Sequence, residues 1–309
     1  MGATGSAIKQ MFPGKPQWTA DNIQDLHGKV VIVTGGNTGV GKETVKELLK
    51  HNAKVYLAAR SADKATQAIE ELKADTGKEA TFLKLDLADL RSVRTAAEQF
   101  LSKEKNLHIL FNNAGVMGCP MDQLTAQGYD MQLGTNVIGH YHFTTLLLPA
   151  LEAASASGEK ARVVNTSSSG AYLARDFFYD SAKDGPVRRK HNPTDMYLSS
   201  KLGNALFARE FAKRYGDKIV STAVNPGNLR TELQRHMPKW QDAILNLILF
   251  PAPFGAITQL WGGTAPEAAD CNGKFLVPWA RAGPLPPLAK DPAAGEKLWK
   301  WLEEQCKGF

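Results

Sequence analysis

The chain has 309 residues, of which 43% are apolar, and a net charge of +6 at neutral pH. The length allows one large α/β domain or two small ones. The apolar content suffices for a buried core and excludes a disordered chain. Cys119, Cys271 and Cys306 are too few and too scattered for a disulfide framework or a zinc site. We therefore expect free thiols in a reducing compartment and a cytoplasmic location.

The basic excess raises the question of a nucleic-acid partner. The dense basic cluster, residues 188–191, has no interleaved aromatic residues and no recognisable nucleic-acid module around it. A solvated loop explains the cluster better, and part of the positive charge can serve an anionic cofactor. We expect no nucleic-acid partner.

Two features of the sequence bear on membrane attachment: the length of its apolar runs and the pattern of its first residues. No run approaches the roughly 20 apolar residues of a spanning helix, and the first residues lack the apolar core of a secretory signal. Gly2 and Ser6 fit the short N-myristoylation pattern, which also arises by chance. Since one acyl chain gives marginal membrane binding, peripheral membrane association is left open.

In chain order, an arm of residues 1–27 precedes a body of residues 28–309. Residues 30–33 are a short β-branched run, typical of a strand buried on both faces of a parallel sheet. A glycine-rich turn follows, and Gly41 opens a predicted helix before a second apolar run at 55–59. Isolated glycines are common in loops, but this strand–turn–helix–strand order predicts half of a dinucleotide-binding unit.

Strands and helices alternate along the rest of the body. The predicted helices are 62–74, 90–101, 129–150 and 197–215, and the predicted strands are 81–86, 109–111, 162–167 and 219–225. This alternation predicts a single doubly wound parallel sheet with helices on both faces, the Rossmann arrangement. Two irregular segments, an insertion at 170–196 and a variable region at 228–262, follow strand ends where such sheets bind ligands.

Several motifs occur in an order typical of one enzyme family. They are Thr34-Gly35 with Gly39 and Gly41, Asn112-Asn113-Ala114-Gly115, Ser168, Tyr197 with Lys201, and Pro226-Gly227. On these motifs the chain resembles the short-chain dehydrogenase/reductase family. The wording Gly-Asn-Thr-Gly-Val-Gly-Lys-Glu-Thr resembles its retinol-dehydrogenase-like and WW-domain-oxidoreductase-like branch, without WW domains. The resemblance covers residues 28–278 and implies hydride transfer between a nicotinamide cofactor and a carbonyl or alcohol carbon.

The resemblance also implies a catalytic group. Tyr197 would be the general acid or base, and Lys201, one helical turn away, would hold the cofactor ribose and lower the pKa of Tyr197. Ser168 would hydrogen-bond the substrate oxygen. Asn136 would hold a proton-relay water to Lys201, although a polar residue bonded at a helix kink is the alternative.

Two ambiguities accompany this assignment. Tyr179 and Lys183 have the same spacing as the catalytic pair, but the Asp-Gly-Pro that follows would end a helix there. The gap between Ser168 and Tyr197 is wider than is usual in the family, so Ser167 and Ser169 remain alternative serines.

The cofactor contacts implied by the resemblance are spread over the strand ends. They are Gly35, Asn37, Thr38, Gly39, Val40, Gly41, Arg60, Asp86, Leu87, Asn113, Ala114, Gly115, Tyr197, Lys201, Pro226, Gly227, Leu229 and Thr231. The second strand ends at Arg60 and Ser61, with no acid before Asp63. A guanidinium suits a 2′-phosphate, so we expect NADP(H). Stacking of Arg60 on the adenine, without reading the phosphate, is the alternative.

The apolar run 243–250 lies where this family places its substrate lid. An apolar lid would exclude water from the reacting carbonyl, so we expect a small-molecule, apolar and fairly bulky substrate in a lid of about 228–262. A buried helix, a membrane contact or a partner contact would explain the same run.

The last expectations concern metal ions and other functions. His140 and His142 lie in a buried helix pattern without partners at ligand spacing, so we expect packing residues and no metal. The alternative to an enzyme is a non-catalytic NADP-binding scaffold or redox sensor. Self-association into a homo-oligomer is left open.

Overall fold

The computed structural model describes residue 10, residues 13–229 and residues 249–309. Its strands are β1 (Val30–Thr34), β2 (Lys54–Ala59), β3 (Thr81–Lys84), β4 (Ile109–Asn112), β5 (Ala161–Thr166), β6 (Ile219–Val224), β7 (Phe275–Val277) and β8 (Arg281–Gly283). They form one sheet in the order β3-β2-β1-β4-β5-β6-β7-β8. All neighbours are parallel except β8, which runs antiparallel to β7. The predicted doubly wound sheet is confirmed, with an antiparallel edge strand added.

The helices cover both faces of this sheet. They are α1 (Gly39–Lys50), α2 (Ala62–Thr76), α3 (Leu90–Leu101), α4 (Met131–Leu133, a π-helical turn Gly134–Ile138, and Gly139–Leu146), α5 (Leu148–Ala154), α6 (Pro193–Tyr215), α7 (Ala252–Thr264) and α8 (Pro292–Cys306). The prediction of one helix over 129–150 was wrong, because Pro149 stands in the first turn of α5. Proline fits a first turn but cannot continue a helix.

Strand β1 shows how the sheet separates two apolar cores. Val30 and Ile32 lie in a cluster with side chains of α3, α4, α6 and α8. Val31 and Val33 lie in a second cluster with side chains of α1, α2 and α7. Successive side chains of a strand point to opposite faces. Both faces of β1 are therefore covered, and its carboxyl end is left as the place where ligands can approach.

The described part of the N-terminal arm lies against the body. Ile23 and Leu26 are buried in the second cluster, and Trp18 packs against it. Near the start of the arm, the Gly14 carbonyl oxygen accepts a hydrogen bond from the Trp279 indole at 3.0 Å. The arm thus contributes to the apolar core beside α1 and α7.

The insertion 170–196 is anchored by a buried ion pair. Arg188 is 2% exposed, and its Nη2 lies 2.8 Å from Asp130 Oδ2, at the start of α4. The sequence prediction of a solvated basic loop was therefore wrong for Arg188, whose partner is 58 residues away in the chain. It holds for the neighbouring Arg189, whose side chain is 70% exposed.

Candidate active site

The glycine-rich turn joins β1 to α1 at the point where the strand order reverses. Gly35 has a φ of +67° and Gly39 a φ of +53°, a region that side chains disfavour. A Cβ at Gly41 would lie 2.6 Å from Asn113 Nδ2 and closer still to the Gly35 carbonyl oxygen. Helix α1 begins at Gly39, two residues before the predicted Gly41. Its first amides therefore face the turn, an arrangement that suits a phosphate.

Thr34, the last residue of β1, fixes the segment that leaves β4. Its Oγ1 accepts hydrogen bonds from the backbone amides of Asn113 and Ala114, both at 2.9 Å. In return, Asn113 Nδ2 donates to the Thr34 carbonyl oxygen at 2.8 Å. These bonds hold the residues predicted to line the adenosine ribose beside the glycine-rich turn.

The other predicted cofactor residues surround the same turn. Arg60 is exposed at the end of β2. On the neighbouring strand end, Asp86 Oδ1 accepts a hydrogen bond from the Ala88 amide at 3.0 Å, and Leu87 is buried. Asn37 and Thr38 lie within the turn, where Thr38 is the N-cap residue of α1.

The segment after β6 packs against the other side of the glycine-rich turn, through Leu229. The Asn225 Oδ1 accepts a hydrogen bond from the Gly227 amide at 3.0 Å, directly after Pro226. Leu229 is buried with Val40 and Trp279 in a small apolar cluster. Thr231, predicted to contact the nicotinamide, lies outside the described residues, as does 243–248, most of the predicted lid run. Helix α7, also within the predicted lid region, is buried core through residues such as Leu260.

Tyr197, Ser168 and Lys201 come together at the carboxyl end of β5. The Ser168 side chain lies close enough to the Tyr197 side chain to lower the pKa of the Tyr197 phenol. Lys201 Nζ lies 5.7 Å from the centroid of the Tyr197 ring and donates to the Thr166 carbonyl oxygen at 3.0 Å. The alternative Ser167 has its hydroxyl committed elsewhere, since it donates to the Lys201 carbonyl oxygen at 2.6 Å. The geometry thus favours Ser168 over Ser167 as the partner of Tyr197.

Asn136 lies in the π-helical turn of α4. Its Oδ1 accepts from the Val116 amide at 2.9 Å, and its Nδ2 donates to the Ser200 hydroxyl at 3.0 Å. A Cβ at Gly115 would lie 3.3 Å from Asn136 Oδ1 and 3.4 Å from Lys201 Nζ. Gly115 therefore lets the segment after β4 lie next to Asn136 and Lys201, where a larger residue would crowd the Asn136 amide oxygen.

The second Tyr–Lys pair is separated by the fold. Tyr179 packs edge-on against Trp301, and Lys297 Nζ lies 4.4 Å from the centroid of its ring. Lys183 instead lies over the ring of Tyr129, at 5.0 Å. The two residues serve different contacts and form no catalytic pair.

Burial dominates the titration of the Tyr–Lys pair. It lowers the pKa of Lys201 to about 8. It also raises the pKa of Tyr197, against the smaller lowering effect of the Ser168 hydrogen bond. The sequence led us to expect a lowered pKa for Tyr197. For the chain alone the direction is opposite, because removing the phenolate from water outweighs its stabilisation by nearby groups.

Two residues to which the sequence assigned no role in the site support this region. Thr34 binds the β4 segment, and Asn225 binds both the Gly227 amide and, through its Nδ2, the Gln10 Oε1 at 2.8 Å. Thr34 stands directly before Gly35 in the glycine motif, which was a usable signal. The bond between Asn225 and Gln10 spans 215 residues and left no signal in the sequence.

Two absences concern only the described ranges, which omit 1–9, 11–12 and 230–248. No three His, Cys, Asp or Glu side chains there are grouped so that they could hold a metal ion. None of the helices in these ranges is long and apolar enough to cross a membrane.

Comparison with known proteins gives consistent matches. A family model described as short chain dehydrogenase matches residues 29–242. A short-chain dehydrogenase/reductase of Armillaria gallica is 60% identical and covers 100% of both chains. Retinol dehydrogenase 12 of Homo sapiens is 40% identical over 95% of this chain and 90% of its own. A solved structure of an uncharacterised Mycobacterium paratuberculosis protein has a TM-score of 0.74 and 29% identity, covering 94% of this chain and 97% of its own.

The buried ammonium predicts an unusual pH dependence of stability. Lys201 has an ordinary pKa of 10.5 when unfolded and about 8 when folded, so its charge costs the folded state about 3 kcal/mol below pH 8. That cost disappears as the pH rises towards 10.5. We expect Lys201→Met to raise the free energy of unfolding at pH 7, and the gain to shrink between pH 8 and 10.

Urea denaturation at several pH values measures this difference. Lys300→Met is the matched control, since the Lys300 side chain is 70% exposed. An advantage of Lys201→Met that stays constant from pH 7 to pH 10 would contradict the assigned pKa.

Proposed function

We propose a reaction from the premise that the chain belongs to the short-chain dehydrogenase/reductase family: the protein transfers a hydride between NADP(H) and the carbonyl or alcohol carbon of a lipophilic substrate. The family consists of oxidoreductases that bind nicotinamide cofactors and small-molecule substrates. What we add is the choice of cofactor, the substrate class and the role of each residue.

One observation supports this proposal most strongly. Tyr197 and Lys201 on α6 meet Ser168, which follows β5, beside the glycine-rich turn after β1. Three separate segments thus bring a hydroxyl pair and a buried ammonium to the edge of the sheet where such folds bind dinucleotides.

In the proposed reduction, the Ser168 and Tyr197 hydroxyls bind the substrate carbonyl oxygen. A bound nicotinamide cofactor supplies the hydride. Tyr197 donates its proton to the oxygen as negative charge develops there. In the oxidation of an alcohol, Tyr197 accepts that proton instead.

Lys201 has two tasks in this proposal. Its ammonium, held by the Thr166 carbonyl oxygen, would bind the ribose hydroxyls of the cofactor. Its pKa of about 8 also lets it exchange protons near neutral pH, so it can restore the proton that Tyr197 gives up. Asn136, beside Gly115, would complete this proton route to solvent.

Selectivity for NADP(H) is proposed from the end of β2. Arg60 is exposed there, and no carboxylate occupies the position that would accept the ribose hydroxyls and repel a phosphate. Ser61 accepts a hydrogen bond from the Lys64 amide as the N-cap of α2, and its hydroxyl hydrogen remains available to donate. These donors favour a 2′-phosphate.

The proposal of an apolar substrate rests on the aromatic side chains that pack near Leu229. Phe250 and Phe254 pack against Trp279, with ring centroids 5.3 Å and 5.4 Å away. The same cluster includes Leu229, next to the predicted nicotinamide turn. This aromatic wall, together with the similarity to retinol dehydrogenases, supports a lipophilic ketone, aldehyde or alcohol.

The function is tested by oxidation of NADPH with a panel of aldehydes and ketones of increasing chain length. We expect kcat/KM to rise with the apolar size of the substrate, because an apolar wall excludes water from the carbonyl. A preference for small polar carbonyls would contradict the substrate class. NADPH binding without oxidation by any member would favour the scaffold instead.

Tyr197→Phe is expected to abolish turnover and to leave the Kd for NADPH nearly unchanged, because it removes the transferable proton and keeps the ring. Steady-state rates and a fluorescence titration with NADPH measure the two effects. Tyr179→Phe is the matched control and should keep the wild-type rate. Near-native turnover by Tyr197→Phe would exclude it as the proton donor.

Arg60→Ala is expected to lower kcat/KM for NADPH by about one to two orders of magnitude and to affect NADH far less. The reason is the loss of a charge-assisted bond to phosphate, worth roughly 1.5–3 kcal/mol. Arg189→Ala, which removes an exposed arginine of the insertion, is the control. Equal losses with both cofactors would mean that Arg60 does not bind the phosphate.

A further inference from the structure

His140 is the buried side chain that joins two parts of the site. It lies on α4 one helical turn after Asn136 and is 2% exposed. Its Nδ1 lies 3.1 Å from the Asn136 carbonyl oxygen, and its Nε2 lies 2.9 Å from Thr34 Oγ1. The sequence pattern predicted a packing role for His140. It is buried as expected, but both ring nitrogens have polar partners.

The hydrogen bonds to Thr34 and Asn136 determine which nitrogen of the His140 ring carries the proton. A threonine hydroxyl has two lone pairs and one hydrogen. The amides of Asn113 and Ala114 occupy both lone pairs of Thr34 Oγ1, each at 2.9 Å. Oγ1 can therefore only donate, and its hydrogen has two acceptors in range, His140 Nε2 at 2.9 Å and the Phe111 carbonyl oxygen at 3.2 Å. The Asn136 carbonyl oxygen beside His140 Nδ1 can only accept, so the neutral ring donates from Nδ1 and its Nε2 accepts from the nearer Thr34 hydroxyl. The proton of the imidazole is then on Nδ1, where it is donated to the Asn136 carbonyl oxygen.

The ring also stays neutral at physiological pH. Burial, with a smaller contribution from the Lys201 charge, lowers the pKa of His140 to about 4. A neutral imidazole has one donor and one acceptor, and both are used here. The side chain is thus fixed in one tautomer and one orientation.

These contacts connect the cofactor side of the site to its proton-transfer side. Thr34 supports the backbone of Asn113 and Ala114, and the next residue, Gly115, lies next to both Asn136 Oδ1 and Lys201 Nζ. The carbonyl that His140 binds belongs to Asn136 itself. The His140 ring therefore restrains both Thr34 and Asn136, the two residues that flank the backbone leading to Gly115, which lies next to Lys201.

We propose that His140 is a positioning residue: its Nδ1-protonated neutral ring sets the spacing between Asn136 on α4 and Thr34 on β1, and so the place of Gly115 beside Lys201. This inference rests on the proposed function. His140 touches neither substrate nor cofactor in it, and acts through Asn136 and Thr34. Substitution of a residue that orients a catalytic group, without itself contacting the substrate, typically lowers activity 10- to 100-fold.

His142 provides a matched control within the same helix. It is 4% exposed, and burial also lowers its pKa to about 4. Its Nε2 is buried without a hydrogen-bond partner. Both histidines are buried and neutral at pH 7, and they differ in their polar contacts.

The first measurement is the tautomer, read from the ¹⁵N chemical shifts of histidine-labelled protein, with His140→Gln to assign the signal. We expect a neutral ring protonated at Nδ1 from pH 8 down to pH 5. A ring protonated at Nε2, or one that titrates near pH 6.5, would overturn the proposal whether or not the protein is an active enzyme.

The second measurement is kinetic. We expect His140→Leu to lower kcat by about 10- to 100-fold with little change in the KM for substrate, because both restraints are lost. His140→Gln should recover most of the rate, since its amide can donate to Asn136 and accept from Thr34. His142→Leu should keep the wild-type kcat.

The outcomes separate this inference from the proposed function. An inactive wild-type protein would refute the proposed function. An active wild-type protein with a folded His140→Leu variant of equal kcat would refute the role of His140 alone. Equal losses in His140→Leu and His142→Leu would assign the effect to core packing and also overturn it.

Discussion

The hydroxyl of Thr34 is the interaction on which the site depends. It accepts from two amides of the segment after β4 and reaches His140 on α4. The glycine-rich turn follows β1, and the Asn113–Gly115 segment follows the neighbouring strand β4. These bonds therefore hold the two segments side by side where they leave the sheet. The Thr34 side chain thus holds the Asn113–Gly115 segment beside the start of the glycine-rich turn.

The proposed catalytic group is arranged at a cost to stability. Lys201 is 3% exposed and close to no described carboxylate, so its charge is stabilised by the carbonyl oxygen of Thr166. Burying an ammonium in this way destabilises the folded chain. The same burial brings the pKa of Lys201 to about 8, where the proposed proton exchange with Tyr197 would be efficient near neutral pH. Such a compromise is common at sites where function opposes stability.

The parts of the fold that were predictable have local signals. Helix α3 begins and ends as predicted, at Leu90 and Leu101, because Asp89 caps it and its apolar residues keep helical spacing. The order of strands and helices through β6 was also evident from apolar runs. Helix α6 begins four residues before the predicted start, because Asn192 caps it and Pro193 fits its first turn.

The parts that were missed lack such signals or depend on distant partners. Strands β7 and β8 have three residues each, too short for any periodicity. Helix α8 had a usable pattern in Leu298, Trp299 and Leu302, which was not interpreted. In the site, the motifs predicted which residues would meet, but not the burial that sets their pKa values or the contacts of His140.

Transfer of deuterium from 4-deuterated NADPH to a lipophilic aldehyde tests the central claim most directly. With the wild-type protein, we expect the label on the carbinol carbon of the alcohol product and transfer from one face of the nicotinamide. The reaction is run with NADPH deuterated on each face of the nicotinamide in turn, and mass spectrometry of the alcohol detects the transferred deuterium. NADPH that binds but transfers no deuterium from either face to any aldehyde or ketone of the panel would contradict the account.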